Sequence, residues 1–265
     1  MFHALIHHPA LTQAQHRALP HVSNTDLSQL KAALLGKPNT PNPVALAYGS
    51  HFHTAVLEPQ HYQRTDERGI KWADLEQLAR QVRRQRYCRD LLYRGQAEQS
   101  YTATHTATGV GVKLRPDLLM RSRAGRCLTL IDFKTTSSPD LPHFLTTIER
   151  YDYDRQAALY LDVLGATRFL IIGVQKKAPH DVWRVELTAT PGLIEQGRKK
   201  YNTLLRHHAR QAHQLPQAAA PFGTVAPLAQ AAQLARAFLL PLYSSHGNLP
   251  NFPKQRPALI PPARR

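Results

Sequence analysis

Cysteine is nearly absent from this chain: Cys88 and Cys127 are the two among 265 residues. They form no CxxC pair, which argues against a disulfide scaffold, a structural zinc site and a four-cysteine iron–sulfur cluster, and fits a reducing compartment. Acidic residues are scarce too, 18 against 34 Lys and Arg, leaving a formal net charge of +16. No apolar run approaches the length of a membrane span, and the opening Met1 to His8 lacks a basic start followed by a sustained apolar stretch. The expectation is a cytoplasmic protein with no membrane association. A positive surplus of this size points to a polyanionic partner, most often nucleic acid; the alternative is a merely soluble basic protein. The length suffices for one self-supporting domain with appendages.

Residues 1–20, rich in His, Ala, Gln and Pro, read as a disordered leader whose histidines could take up a transition metal adventitiously. A helix is expected from Ser23 to Leu35, with Ser23 as N-cap, Asp26 at the capping-box position and Gly36 as its stop. The Pro- and Asn-rich stretch 37–43 is a loop. A second helix runs from Val44 to Leu57 and a third from Trp72 to about Tyr93. Strand-like patterns follow at 100–106, 110–114 and 128–133. A helix over 143–164, broken near Tyr151, leads to strands at 169–174 and 182–187 and a helix over 191–211. Residues 213–265 read as a partly disordered, basic Ala/Pro/Gln-rich tail with one helical stretch over 226–240.

Two segments carry the chemistry. Lys113-Leu114-Arg115-Pro116-Asp117 and Leu130-Ile131-Asp132-Phe133-Lys134-Thr135-Thr136 read as neighbouring strands paired through the turn at 122–125. Alternation puts Asp132 and Lys134 on one side of the second strand, and Lys113, Arg115 and Asp117 on one side of the first. Two carboxylates and an ammonium can then converge. Carboxylates are the ligands that Mg²⁺ prefers, and a neighbouring lysine can orient water or neutralise a phosphate. An ordinary strand-end salt bridge explains these residues equally well.

On the following helix Gln156 and Tyr160 share a face with Tyr153, placed to contact a phosphate or to support the strand from behind. On the helix from Val44, the stripe Leu46, Gly49, His53, Val56 and Leu57 turns His53 inward and His51 away. Alone, an inward histidine is more often a satisfied core group than a ligand. Candidates for phosphate contact are Arg80, Arg83 and Arg84 in the run that continues to Arg89, together with Lys113 and Arg115 and the Arg198-Lys199-Lys200 cluster; the alternative for each helix is a solvated face.

The ordered set comprises Gly49 to Pro59, Glu98-Gln99-Ser100, Lys113 to Asp117, Ile131 to Thr136 and Tyr153 to Tyr160, with an opening helix at Val22 to Leu30. It resembles the exonuclease VIII (RecE-type) nuclease domain of the PD-(D/E)xK superfamily, over residues 21–212. That resemblance implies an α/β fold: a restriction-endonuclease-like core, with a mixed central sheet flanked by helices and an N-terminal helical segment. It implies Asp117 and Asp132 as metal ligands, with the Phe133 backbone carbonyl, His53 and Glu98 joining them. Lys134 would position or activate water, and Gln156 and Tyr160 would support it. The implied activity is metal-dependent 5′→3′ exonucleolysis of linear double-stranded DNA with Mg²⁺ (Mn²⁺ as substitute) by a two-metal mechanism. Implied partners are a single-strand-annealing recombination protein and further copies of the chain. The alternatives are a structure-specific or restriction-like endonuclease on the same fold, and a catalytically inactive DNA-binding module.

Overall fold

The computed structural model of the protein describes residues 1–37, 42–122, 125 and 127–214. The expected tail and its 226–240 helix lie outside the described residues, as do residues 123 and 124 of the expected turn. Among the described residues eight strands form two sheets. One is three-stranded and antiparallel, ordered β1 (Phe2–His8), β3 (Ser100–His105), β4 (Gly111–Leu114). The other is mixed and five-stranded, ordered β2 (Gln96–Ala97), β5 (Leu118–Arg121), β6 (Leu128–Thr136), β7 (Arg168–Gln175), β8 (Val182–Glu186). Its β6–β7 pair is parallel, joined through two helices, α6 (Leu141–Arg150) and α7 (Tyr153–Leu164).

β6 is covered on both faces, and its alternation decides which residue meets which layer. Ile131 and Phe133 pack into a core with α3 (Pro43–Leu57), α4 (Trp72–Arg84) and α5 (Arg86–Arg94). Leu128 and Leu130 pack on the opposite face, into a core built with α6, α7, α2 (Asn24–Leu34) and α8 (Leu193–Gln214). Asp132 and Lys134 continue this second row, so the strand carries its charges towards α7. Fully burying a side chain such as Phe133 or Leu130 stabilises the fold by roughly 1.5–3 kcal/mol.

Helix α2 begins at the capping box read from the sequence: Ser23 Oγ accepts from Asp26 N, and Ser23 N donates to the Asp26 carboxylate. The α6–α7 break falls at Tyr151 and Asp152, as expected. Asp152 is buried with left-handed backbone (φ 55) and makes ion pairs with Lys31, Arg155 and Lys200. Lys200 also reaches Asp154 at 2.8 Å. Lys200 is therefore buried among carboxylates tying α8 to α7, not on a DNA-facing surface, and Arg198 beside it pairs with Asp162 at 2.8 Å.

Three expectations need correction. The first twenty residues are not a disordered leader: β1 pairs antiparallel with β3, and α1 (Gln13–Ala18) follows with its own Thr12–Gln15 capping box. The single helix over 72–93 is two, because Gln85 leaves helical geometry and its side chain caps Cys88 N. Along one helix the six residues from Val82 to Cys88 would turn Cys88 about 240° from the buried face. The break resets the phase so that both are buried. Lys113 to Asp117 is not one strand. β4 ends at Leu114, and Pro116, which has no N–H for a ladder, lies where the chain leaves the small sheet for the large one.

Candidate metal centre at the junction of the two sheets

After the long helical passage from β1 to β2, the chain crosses between the sheets at two short segments: Glu98–Gln99 on the way from β2 to β3, and Arg115–Asp117 on the way from β4 to β5. The two crossings lie side by side, with Glu98 N donating to Asp117 O at 3.1 Å. Glu98 adopts left-handed backbone (φ 53), a conformation costing a non-glycine residue on the order of 1–3 kcal/mol and characteristic of functional positions.

Asp117 sits one residue beyond the Leu118–Ile131 pair, which places it beside Asp132. There β6 runs past the start of β5, so the Phe133 backbone has no strand partner on that side. Side chains take that place. Asp117 Oδ2 accepts from Phe133 N at 2.6 Å, and His53 Nε2 donates to Phe133 O at 2.7 Å. Because a carbonyl only accepts, that nitrogen carries hydrogen, and Nδ1 faces Asp117 Oδ1 at 3.4 Å. His53, Glu98 and Asp117 bring one ligand atom each within 4.8 Å of one another.

The other carboxylate faces α7. Asp132 Oδ1 accepts from Gln156 Nε2 at 2.7 Å, and Oδ2 lies 2.8 Å from Lys134 Nζ. Oδ2 is buried, with the Lys134 ammonium as its partner. Lys134 Nζ also sits 5.1 Å above the centroid of the Tyr153 ring.

Proton affinities follow from this crowding. Burial pushes the Asp132 carboxyl up and Asp117 adds to it, against the pull of Lys134. Glu98 rises to about 7, through burial and then repulsion by Asp117, although Arg115 opposes both. For Asp117 burial works upward, but His53, Lys134 and the Phe133 N–H outweigh it and the net shift is down. His53 is raised to about 9: burial lowers it, and the Asp117 carboxylate more than compensates. Lys134 is also raised, since Asp132 and its neighbours overcome the burial penalty. Two carboxylates, Glu98 and Asp132, thus favour added positive charge. This donor set, carboxylates with one imidazole and a nearby backbone carbonyl, fits a divalent cation.

The expected residues have different fates. Asp117, Asp132, Lys134, His53, Glu98, Gln156 and the Phe133 carbonyl come together. Tyr160 is buried behind them, its ring against Phe169. His51 points away, to Glu67 at 2.9 Å. Only the second half of the stripe on α3 is inward, since Leu46 is 59% exposed. Lys113 and Arg115 are not phosphate contacts. The Lys113 ammonium is buried on the carbonyls of Arg17 and Leu19 at 2.7 and 2.8 Å, at the end of α1. Arg115 pairs with Glu98 at 2.6 Å and also donates to Leu11 O and Ser100 Oγ. It orients a candidate ligand, a role with no local signal in the sequence because its partners come from residues 11, 98 and 100. Arg83 donates to Val56 O at the end of α3, whereas Arg84 is exposed and Arg80 pairs loosely with Glu76 at 3.9 Å.

A mixed sheet flanked by helices, with Asp117, Asp132 and Lys134 at the overhang of its central strand, defines a PDDEXK-like protein with the restriction-endonuclease-like core. Residues 27–219 match the family described as "PDDEXK-like domain of unknown function (DUF3799)", and the chain belongs to that family. No curated protein matches it. Among solved structures it is similar to a "Putative exonuclease" from Eubacterium rectale, with a TM-score of 0.55 at 15% identity over 82% of this chain and 96% of that one. That likeness supports the fold. A second structure, of SSO0001, reaches a TM-score of only 0.28 at 14% identity over 64% of this chain and 89% of that one, too low to carry an argument.

Proposed function

We propose that the protein is a metal-dependent nuclease that hydrolyses DNA phosphodiester bonds, working as a 5′→3′ exonuclease on linear double-stranded DNA. The observation carrying the nuclease reading is the meeting of His53, Glu98, Asp117 and Asp132 beside the half-buried Lys134 ammonium. Polarity, duplex preference, a single-strand-annealing partner and assembly of several copies come from the RecE-type resemblance. In this reading the four side chains, with the Phe133 carbonyl, hold Mg²⁺ or Mn²⁺. Bound there, divalent ions would supply Lewis-acid polarisation of the phosphate and a more acidic water.

The chain's own residues set up the rest. Lys134 is held as an ammonium by Asp132, so it acts as a donor that orients water or a phosphate oxygen and offsets developing negative charge. Gln156 fixes the Asp132 carboxylate from α7, and Arg115 fixes Glu98 from the crossing segment. The net positive charge of the chain offsets the repulsion that clustered carboxylates exert on DNA.

The test is purified protein with end-labelled linear duplex and covalently closed circles, with and without Mg²⁺. Metal-dependent loss of linear DNA alone is expected. Cutting of closed circles replaces the exonuclease with an endonuclease, and binding without cleavage under any divalent ion overturns the nuclease.

A further inference from the structure

Beyond the candidate ligands, a short aromatic series leads from Lys134 to solvent. The Lys134 ammonium lies over Tyr153, whose ring centroid is 5.9 Å from that of Tyr151 at an interplanar angle of 44°. Tyr151 is 54% exposed, and the exposed Arg150 guanidinium sits 5.6 Å from its ring centroid. An aromatic ring left in water gains nothing for the fold. Its position is nevertheless firmly held. Tyr151 N donates to Thr147 O at the end of α6, and the next residue is the buried Asp152, paired with Lys31, Arg155 and Lys200.

We propose that Tyr151, with Arg150, is a base-stacking subsite for single-stranded DNA, taking the base of a nucleotide next to the scissile phosphate once that strand has left its duplex. The proposal rests on the nuclease reading and adds how the strand is held. Every base presents a π-face, so an exposed tyrosine takes any of them, and a guanidinium beside it adds cation–π attraction or a phosphate contact. Two ring contacts separate Tyr151 from the lysine, so a base on Tyr151 puts its own or the adjoining phosphate by the carboxylates. A rigid ring loses little freedom on binding, so its stacking translates into affinity.

The test uses a single-stranded oligonucleotide with 2-aminopurine near its end, mixed with the full chain in EDTA, where metal-dependent cleavage does not compete. Stacking quenches 2-aminopurine. Wild type and Tyr151→Phe are expected to quench it and bind alike. Tyr151→Ala and Tyr151→Leu are expected to lose the quench and about tenfold in affinity. With an abasic site in place of the probe base, wild-type affinity should fall to that of Tyr151→Ala. Equal quenching by wild type and Tyr151→Ala, or no quenching by wild type, overturns the subsite. Because this readout needs no cleavage, a wild type that stacks the probe but digests nothing refutes the nuclease and not the subsite. Unchanged melting temperatures of the variants keep a folding defect out of the comparison.

Discussion

Gln156, on the first turn of α7, donates its side-chain N–H to the Asp132 carboxylate across 2.7 Å. The bond links a strand to the helix that covers it, and it occupies one oxygen of a carboxylate whose other oxygen lies by Lys134. Gln156→Ala should therefore weaken metal-dependent digestion about 10–100-fold, the usual cost of losing a group that orients a ligand. Gln156→Glu should lose more, since it sets a second negative charge against Asp132. Single-turnover rates over a Mg²⁺ titration separate lost metal affinity from lost rate, and an unimpaired Gln156→Glu would show the bond to be incidental.

Asp132→Ala and Lys134→Ala should each lower digestion by at least about 10²–10³-fold while leaving DNA binding in place. The check is a gel-based digestion assay beside an anisotropy titration with the same duplex. Either variant digesting at the wild-type rate would remove that residue from the site.

Acidity gives a further test. The raised Glu98 (about 7 against an ordinary 4.5) and His53 (about 9 against 6.5) each hold more proton in the metal-free folded chain than in the unfolded one, whereas the lowered His16, His21, His105 and His207 act oppositely below about pH 6.5. Stability in EDTA should therefore fall as pH rises from about 6.5 to 9. The lowered Asp117 acts oppositely, but below that range. Protons and a divalent cation compete for the same atoms, so the rise in melting temperature on adding Mg²⁺ should be larger at pH 8.5 than at pH 6. Scanning fluorimetry in chelated and Mg²⁺-containing buffers measures both, and a stabilisation independent of pH would contradict the ligand set.

Arg155, fully buried, donates to Asp152, to Asn24 and to Ser28 Oγ. Arg155→Ala leaves a buried carboxylate short of a partner and should cost about 3–5 kcal/mol of stability. Urea unfolding would show this as a lower midpoint, and a loss below about 1 kcal/mol would mean that Lys31 and Lys200 carry Asp152 without it.

Lys113→Ala should leave the salt dependence of DNA binding unchanged, because its ammonium is committed to two carbonyls of the α1 end. A phosphate contact would lower the slope of log affinity against log salt by about one.

What the sequence revealed follows from where alternation survives. In β6, Leu128, Leu130, Asp132 and Lys134 alternate with Ile131 and Phe133, so the charged pair and its side of the sheet could be read directly. Leu118-Leu119-Met120 shows no alternation because both faces of that strand are covered, and the register placing Asp117 beside Asp132 was correspondingly hidden. β1 was missed for a different reason: this edge strand, Phe-His-Ala-Leu-Ile-His-His, is exposed on both faces along most of its length, and its apolar residues do not alternate with polar ones. Lys113 and Arg115 looked like free cations because the carbonyls that hold them lie about a hundred residues earlier in the chain.

The strand at the start of the chain has a practical consequence. β1 holds β3, and the connection after it supplies the Leu11 carbonyl that anchors Arg115, which in turn steadies Glu98. Trimming residues 2–11 to tidy an expression clone would cut this tether, and the damage would surface far away as a lost grip on metal.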